Sequence, residues 1–209
     1  MNLLPQLEPL AEDLAGRPVA PERRRLLEQL ADLIATHLSD GDTVPLTFIC
    51  THNSRRSHLA QVLATTAAAY YDVAGIVCCS GGTEATACNE RTVAAFVRAG
   101  FPVVDASGGE NPVYEIGYAR DTAPIRAWSK IYHADGNPDT GYIAIMTCTH
   151  ADEHCPCVLG ATERFSLPYR DPKEADNTPD EAATYDARLR EIGAEMFFLL
   201  RLVKERRSA

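Results

Sequence analysis

Long hydrophobic runs and basic residues are both scarce in this chain. Its longest apolar runs are interrupted by charged residues well before the ~20 residues that a transmembrane helix needs, so the sequence predicts no membrane span. No basic region precedes an apolar stretch in the opening MNLLPQLEPLAEDLAGR, and we therefore expect no secretory signal. Lys and Arg number 20 against 29 Asp and Glu, a formal net charge of -9. That charge argues against an extended nucleic-acid surface, although one local anion pocket could still be basic.

Disorder and a disulfide framework are also disfavoured. Hydrophobic residues are 45% of the 209 residues and charged residues 23%, close to globular averages, so a domain of ordinary size can bury a sizeable core. The seven cysteines are an odd number. Without a secretory signal they are better explained as catalytic, redox-active or buried thiols than as structural disulfides. We expect a globular, cytoplasmic protein with neither a nucleic-acid nor a membrane partner.

The first 43 residues are predicted to be a helical extension of the main domain. After Pro21, apolar side chains recur at steps of three and four residues and mark one helical face: Leu26, Leu27, Leu30, Leu33, Ile34 and Leu38. The segment Asp40-Gly41-Asp42 is predicted to end this helix. We therefore divide the chain into an N-terminal helical extension, residues 1–43, packed on a main domain, residues 44–209. In this interpretation the apolar face completes the core, and an oligomer contact is the alternative.

From Val44 onward, short apolar runs alternate with helical patterns. The predicted strands are Leu46–Cys50, Gly75–Cys79 and Tyr142–Thr147, with weaker candidates near Val103, at Val113–Tyr118 and at Arg164–Leu167. The predicted helices are Ser57–Tyr70, Glu90–Ala99 and Asp180–Val203. Strands that alternate with helices predict a parallel sheet with helices on both faces, the α/β class.

The most informative segment is LTFICTHNSRRSHLAQ, in which a strand, a polar loop and a helix follow one another. Cys50 ends the strand, and Arg56 and Ser57 lead into the helix. Loop amides at a helix N-terminus can bind a tetrahedral oxyanion, and with the helix dipole they favour the thiolate of Cys50. Arg56 adds a planar fork for two oxygens of a phosphate or arsenate, and Ser57 can donate to the sulfur when it leaves.

This chemistry needs neither a metal nor another cofactor. The predicted oxyanion-binding loop consists of Thr51, His52, Asn53, Ser54, Arg55 and Arg56. The alternative interpretation is a buried cysteine at a strand end beside a solvated pair of arginines.

The segment CTHNSRRS resembles the phosphate-binding loop of the low-molecular-weight protein tyrosine phosphatases and the related thioredoxin-linked arsenate reductases. The resemblance runs from Val44 to Val203 and includes SGGTEATACNERTV, which is similar to the family's second strand and following helix. It implies a three-layer α/β/α fold with a four-stranded parallel sheet, in which residues 44–209 are the catalytic domain. It also implies that Cys50 is the nucleophile.

That family uses an Asp-Pro pair far downstream, in which the aspartate is the general acid. In this chain RFSLPYRDPKEAD offers Asp171-Pro172 in a loop after a predicted strand. A carboxylic acid must protonate the oxygen that departs when Cys50 attacks, so the resemblance assigns this role to Asp171. An isolated Asp-Pro pair is more often only a turn.

The segment IAIMTCTHADEHCPCVLG resembles the redox segment of the arsenate reductases, where two cysteines lie seven positions apart and the second precedes a proline. Cys148 and Cys155 keep that spacing, and Pro156 follows. The resemblance implies an arsenate reductase in which Cys50, Cys148 and Cys155 form a disulfide relay that thioredoxin reduces. The alternative is a phosphatase that hydrolyses phosphomonoesters through a phosphocysteine at Cys50.

Three departures from the family pattern bear on activity and ion binding. Reductases commonly have a second cysteine directly before the loop arginine, and Arg55 stands there in this chain. Some reductases bind potassium partly through an acid of the following helix, and Gln61 at the matching position argues against such a site. Phosphatases usually follow their Asp-Pro pair with tyrosines, whereas Lys173, Glu174 and Ala175 stand here and weaken the phosphotyrosine interpretation.

The redox segment also contains side chains of the kinds that bind zinc. Cys148, His150, His154, Cys155 and Cys157 lie within ten residues. Structural zinc sites usually draw ligand pairs from two separated segments, and these five lie on one. We therefore predict no metal site, with a zinc site or unreactive buried thiols as the alternatives.

Overall fold

The computed structural model describes residues 2–39, 43–155 and 157–207. Within these ranges the strands are β1 (Val44–Cys50), β2 (Ile76–Gly82), β3 (Val103–Asp105), β4 (Tyr114–Ile116), β5 (Ile125–Ala127), β6 (Tyr142–Met146) and β7 (Ala161–Ser166). The helices are α1 (Glu8–Gly16), α2 (Pro21–Ser39), α3 (Arg56–Tyr71), α4 (Glu90–Arg98), α5 (Thr149–His154) and α6 (Glu181–Arg207). Short 3-10 turns lie at Pro5–Leu7 and Pro172–Ala175.

Four parallel strands form the central sheet in the order β2-β1-β6-β7. Successive side chains of a strand point to opposite faces, and both faces of the inner strands are buried. Leu46, Phe48 and Ile145 pack on one face with the large helices. Ile49 and Met146 pack on the other face, where α5 contacts β1 and β6. Helices therefore cover both faces, and the predicted three-layer α/β/α fold is confirmed.

The N-terminal helices share one core with the rest of the chain. The predicted apolar face of α2 is buried at Leu27, Leu30 and Ile34, and it packs against α6. Leu14 of α1 packs closely on Gly193 of α6. A β-carbon at position 193 would come within 2.8 Å of the Leu14 methyl groups. The predicted helix end at residues 40–42 lies outside the described residues. None of the described helices is long and apolar enough to cross a membrane.

A second, smaller sheet differs from the sequence-based expectation. The weak candidates near Val103 and at Val113–Tyr118 are strands, but they pair antiparallel in the order β3-β4-β5 rather than joining the parallel sheet. No helix connects these short strands in sequence, so the chain returns directly, as antiparallel neighbours allow. The third strand, β5, has only three residues, too few to show a period in the sequence.

Candidate active site

The loop after β1 lies at the carboxyl ends of the strands β1 and β2. Cys50 is the last residue of β1 and is only 3% exposed, and Arg56 opens α3. The loop rests on Gly82 at the end of β2, where a β-carbon would come within 2.7 Å of the Asn53 nitrogen and the Thr51 oxygen. A side chain at this position would displace the loop, which explains the glycine.

Asn53 organises the loop from inside. Its backbone is left-handed, with φ of 44°, a conformation that asparagine tolerates better than most residues. Its Nδ2 donates to the Ser57 oxygen over 2.9 Å, and its Oδ1 accepts from the Lys130 amide over 3.0 Å. The Ser57 hydroxyl lies 3.1 Å from the Cys50 sulfur. Because Asn53 already donates to this hydroxyl, the hydroxyl proton is free to donate to the sulfur.

Several loop side chains bond to neighbouring segments. His52 Nε2 lies 3.5 Å from a Glu84 carboxylate oxygen, and the Ser54 hydroxyl donates to a backbone carbonyl over 2.6 Å. Arg55 donates to the Tyr185 hydroxyl over 2.7 Å and to Asp176 over 3.2 Å. Among the described residues, the amides of residues 51 to 57 find no protein acceptor. An oxyanion in this loop would therefore be held by backbone N–H groups rather than by these side chains.

Arg56 and Asp171 meet at the loop, although 115 residues separate them. Arg56 Nη2 donates to Asp171 Oδ2 over 2.6 Å, and Nη1 donates to the Tyr169 carbonyl over 3.2 Å. The third nitrogen of the guanidinium, Nε, is buried without a hydrogen-bond partner among the described residues. A buried donor without a partner is costly, so this atom is available to an incoming oxyanion. The other Asp171 oxygen caps the 3-10 turn by accepting from the Lys173 amide over 3.1 Å.

Cys148 lies beside the residue that follows Cys50. Its sulfur is 3.4 Å from the Thr51 hydroxyl, and it caps α5 by accepting from the Ala151 amide over 3.3 Å. Cys50 and Cys148 are buried in the same apolar cluster, which also contains Ile49 and Met146. The structure therefore brings the first two predicted relay thiols to one place.

Cys155 is not brought to Cys148. The two cysteines cap opposite ends of α5, and seven residues at 1.5 Å each separate their α-carbons by ~10 Å, beyond the ~7 Å that a disulfide spans. Arg164 fixes the far end of α5, donating to Asp152 over 2.6 Å and to the Cys155 carbonyl over 3.2 Å. A bond between the two sulfurs therefore requires α5 to unwind. Pro156 lies outside the described residues.

Buried titratable groups lie behind the loop. Burial, with a smaller contribution from the Lys130 charge, lowers the pKa of His58 to about 3. Burial lowers the pKa of Lys130 itself to about 8, and its ammonium lies 3.9 Å from the centre of the Trp128 ring. Burial raises the pKa of both Cys78 and Cys88 to about 12. These two cysteines therefore remain protonated thiols, unsuited to nucleophilic attack.

Acidification is expected to destabilise the fold through His58. Its pKa is about 3 in the folded chain against 6.5 ordinarily, so the unfolded chain binds more protons between these values. The free energy of unfolding should then fall by roughly 1 kcal/mol for each pH unit below 6.5. Urea unfolding at neutral and mildly acidic pH would measure this slope. His58→Gln should flatten it, and an unchanged slope in that variant would contradict the assignment.

Two further features surround the loop. A cleft of about 530 Å³ opens beside it, lined on different sides by His52, Arg55, Tyr114 and Lys173. In the part of the chain that the structure describes, no group of three or more His, Cys, Asp or Glu side chains is arranged to hold a metal ion. The rings of the two histidines in α5 stack on each other, 4.2 Å apart.

Comparison with known proteins bears on the fold. No family model and no curated protein matches the chain. The low-molecular-weight protein tyrosine phosphatase of T. tengcongensis is 13% identical over 76% of this chain and 98% of its own, with a TM-score of 0.51. That of Bacillus subtilis is 14% identical over 78% of this chain and 98% of its own, again with a TM-score of 0.51.

An arsenate reductase in its phosphate-binding state also matches, at 16% identity over 76% of this chain and 97% of its own. Its TM-score of 0.46 is too low to bear on activity. Identities of this size establish the fold and leave the reaction open. The chain thus has the three-layer fold of the low-molecular-weight protein tyrosine phosphatases.

Proposed function

We propose that this protein is a thioredoxin-dependent arsenate reductase. The observation that carries the proposal is the position of Cys148, whose buried sulfur lies 3.4 Å from the hydroxyl of Thr51, the residue next to Cys50. A phosphatase has no use for a second thiol at this place. A reductase needs one, because a disulfide must form as arsenic is reduced.

The first step is attack of the Cys50 thiolate on arsenate. The loop amides and Arg56 Nε bind the arsenate oxygens, and an arsenic–sulfur bond forms as one oxygen leaves. Asp171 donates the proton with which that oxygen departs as water. The Arg56 contact that now holds Asp171 is released when the oxyanion takes over the guanidinium donors. Ser57 stabilises charge on the sulfur throughout.

The second step transfers electrons. The Cys148 thiolate attacks the Cys50 sulfur and forms a disulfide, while the electron pair of the arsenic–sulfur bond goes to arsenic. Arsenic(V) becomes arsenic(III) and leaves as arsenite. The apolar cluster around the two sulfurs excludes water, which would otherwise hydrolyse the adduct back to arsenate.

The third step passes the disulfide outward. Cys155 attacks the Cys148 sulfur, which frees Cys50 and leaves a Cys148–Cys155 disulfide for thioredoxin to reduce. The attack requires α5 to unwind, and a six-residue helix is far below the length at which isolated helices are stable. The contacts of Arg164 with Asp152 hold the helix in the reduced state. The relay needs a compartment that keeps thiols reduced, which goes with a cytoplasmic location.

Hydrolysis of phosphomonoesters is the second candidate. It shares the first step, with a phosphocysteine in place of the arsenic adduct. The cleft of about 530 Å³ beside the loop favours it, because arsenate itself would leave this space empty while the organic part of an ester could enter. Tyr114 of β4 and Lys173 of the 3-10 turn Pro172–Ala175 would then contact that organic part.

The test is arsenate-dependent NADPH oxidation in the presence of thioredoxin and thioredoxin reductase. The wild type should turn over continuously, and Cys155→Ser should fall to background because the Cys50–Cys148 disulfide is no longer resolved. Cys157→Ser is the matched control, since this exposed thiol lies two residues away and has no step in the relay. Background activity in the wild type, with steady aryl-phosphate hydrolysis, would contradict the reductase and favour the phosphatase.

A further inference from the structure

Arg23, in the first turn of α2, reaches the segment that carries Asp171. Its Nη1 donates to the Pro168 carbonyl over 3.3 Å, although 145 residues separate the two. Its guanidinium carbon also lies 4.9 Å from the centre of the Tyr169 ring. The N-terminal extension therefore contacts the chain two and three residues before the candidate acid.

Glu195 of α6 fixes this contact. Arg23 Nε and Nη2 each donate to one Glu195 oxygen over 2.7 Å, a bidentate pair with little freedom to rotate. The Tyr169 hydroxyl donates to the same carboxylate over 2.7 Å. Burial and the charge of Glu195 raise the pKa of Tyr169 well above its ordinary value, so this hydroxyl remains a donor. All three side chains are thus locked together by strong hydrogen bonds.

The backbone of Tyr169 continues the connection to the active site. Its amide donates to the Thr147 carbonyl over 3.0 Å, and its carbonyl accepts from Arg56 Nη1 over 3.2 Å. Two residues later, Asp171 accepts from the same guanidinium over 2.6 Å. A shift of Tyr169 would therefore move both the acid and the arginine that binds the oxyanion.

We propose that Arg23 is a positioning residue for the general acid: it holds Pro168 to Asp171 in place, so that the carboxyl group faces the oxyanion loop. The inference rests on the acid role of Asp171 in the proposed function. It applies equally to arsenate and to phosphomonoesters, because both reactions expel an oxygen that must be protonated. A displacement of ~1 Å at such a group can cost ~100-fold in rate.

The variants must separate positioning from stability. Arg23→Met alone would leave Glu195 as an unpaired buried carboxylate and could unfold the chain. The paired variant Arg23→Met/Glu195→Leu replaces both charges with apolar groups of similar volume, an exchange that folded proteins often tolerate. Tyr169→Phe is a milder second variant, which removes only the hydroxyl that bonds to Glu195.

Arg24→Met is the matched control. Arg24 is the next residue of the same helix turn, and it contacts the Val19 carbonyl over 2.8 Å and the Phe198 ring instead. Its loss removes a comparable side chain from α2 and leaves the contacts of Pro168 and Tyr169 as they are.

The measurement is the rate of the first turnover with two aryl phosphates. Dinitrophenyl phosphate has a leaving group that departs without a proton, whereas phenyl phosphate needs the acid. Asp171→Asn sets the reference, with a selective loss of ~100-fold or more on phenyl phosphate. We expect the paired variant to lose at least ~10-fold on phenyl phosphate and to stay within about 3-fold of wild type on dinitrophenyl phosphate. Tyr169→Phe should show a smaller loss with the same selectivity, and Arg24→Met none.

The outcomes separate the positioning role of Arg23 from the acid role of Asp171. If Asp171→Asn is selective for phenyl phosphate and the paired variant, folded by circular dichroism, is not, the positioning role of Arg23 is overturned and the function stands. If Asp171→Asn shows no selectivity, the acid assignment fails and the inference fails with it. Selective losses in the paired variant, together with absent arsenate turnover, would support the positioning role of Arg23 and contradict only the proposed arsenate reductase activity.

Discussion

Cys50→Ser is expected to abolish arsenate reduction and aryl-phosphate hydrolysis together. Both reactions begin with attack of the same sulfur, and a serine hydroxyl is un-ionised at neutral pH and a much weaker nucleophile. Loss of a nucleophile from an otherwise intact site typically costs ~10⁴-fold or more. The rates of both reactions should fall by that factor, measured with saturating substrate under identical conditions.

The oxyanion site itself should survive this change. Inorganic phosphate should bind to Cys50→Ser with an affinity within several-fold of wild type, because the loop amides and Arg56 are untouched. Cys88→Ser is the control, since this thiol borders the neighbouring cleft and burial raises its pKa to about 12. Equal losses in both variants would mean that general destabilisation was being measured, and substantial activity in Cys50→Ser would contradict the nucleophile assignment.

The parallel sheet and its large helices were predictable because their signals are local and long. The seven residues of β1 and five of β6 are mainly apolar and almost all buried, which is typical of a central parallel strand. The predicted helix Asp180–Val203 is confirmed as Glu181–Arg207. The helix extends beyond the predicted Val203 because basic residues such as Lys204 interrupt the apolar period but favour a helix C-terminus.

The shorter elements could not be read from the sequence. The helix α5 has six mainly polar residues, and nothing in THADEH shows an apolar face. It is stabilised by contacts that only the fold creates, among them the bond from Arg164 of β7 to Asp152. The strand β5 likewise exists because β4 lies beside it. In both cases tertiary contacts outweigh weak local preference.

In the candidate site, too, local features were predictable from the sequence and contacts between distant segments were not. Cys50, Arg56 and Ser57 lie on one short segment, so their proximity could be predicted from the strand–loop–helix pattern. The meeting of Asp171 with Arg56 could be expected only from the family resemblance. The role of Asn53 in orienting Ser57, and the bonds of Arg55 to α6 and Asp176, had no sequence signal beyond the residue types themselves.

Cys148→Ser should separate the two candidate reactions. Serine keeps a hydrogen-bonding atom near the Thr51 hydroxyl and the Ala151 amide, so α5 and the loop should remain folded. Aryl-phosphate hydrolysis should stay within a few-fold of wild type, because the attack by Cys50 is unaffected. Arsenate reduction should fall ~10³-fold or more, because no second thiol is placed to break the arsenic–sulfur bond and take the sulfur into a disulfide.

Counting the arsenite released in the absence of thioredoxin gives the sharpest form of this prediction. Cys148→Ser should release none, since its arsenic adduct can only hydrolyse back to arsenate. Cys155→Ser should release one arsenite per chain and then stop as a Cys50–Cys148 disulfide, which peptide mass mapping would identify. Wild type should also release one arsenite per chain, but the chain should then contain a Cys148–Cys155 disulfide, with Cys50 again free. Stoichiometric arsenite from Cys148→Ser would contradict the relay, because arsenic would then have been reduced without the second thiol of the buried cluster that contains Cys50.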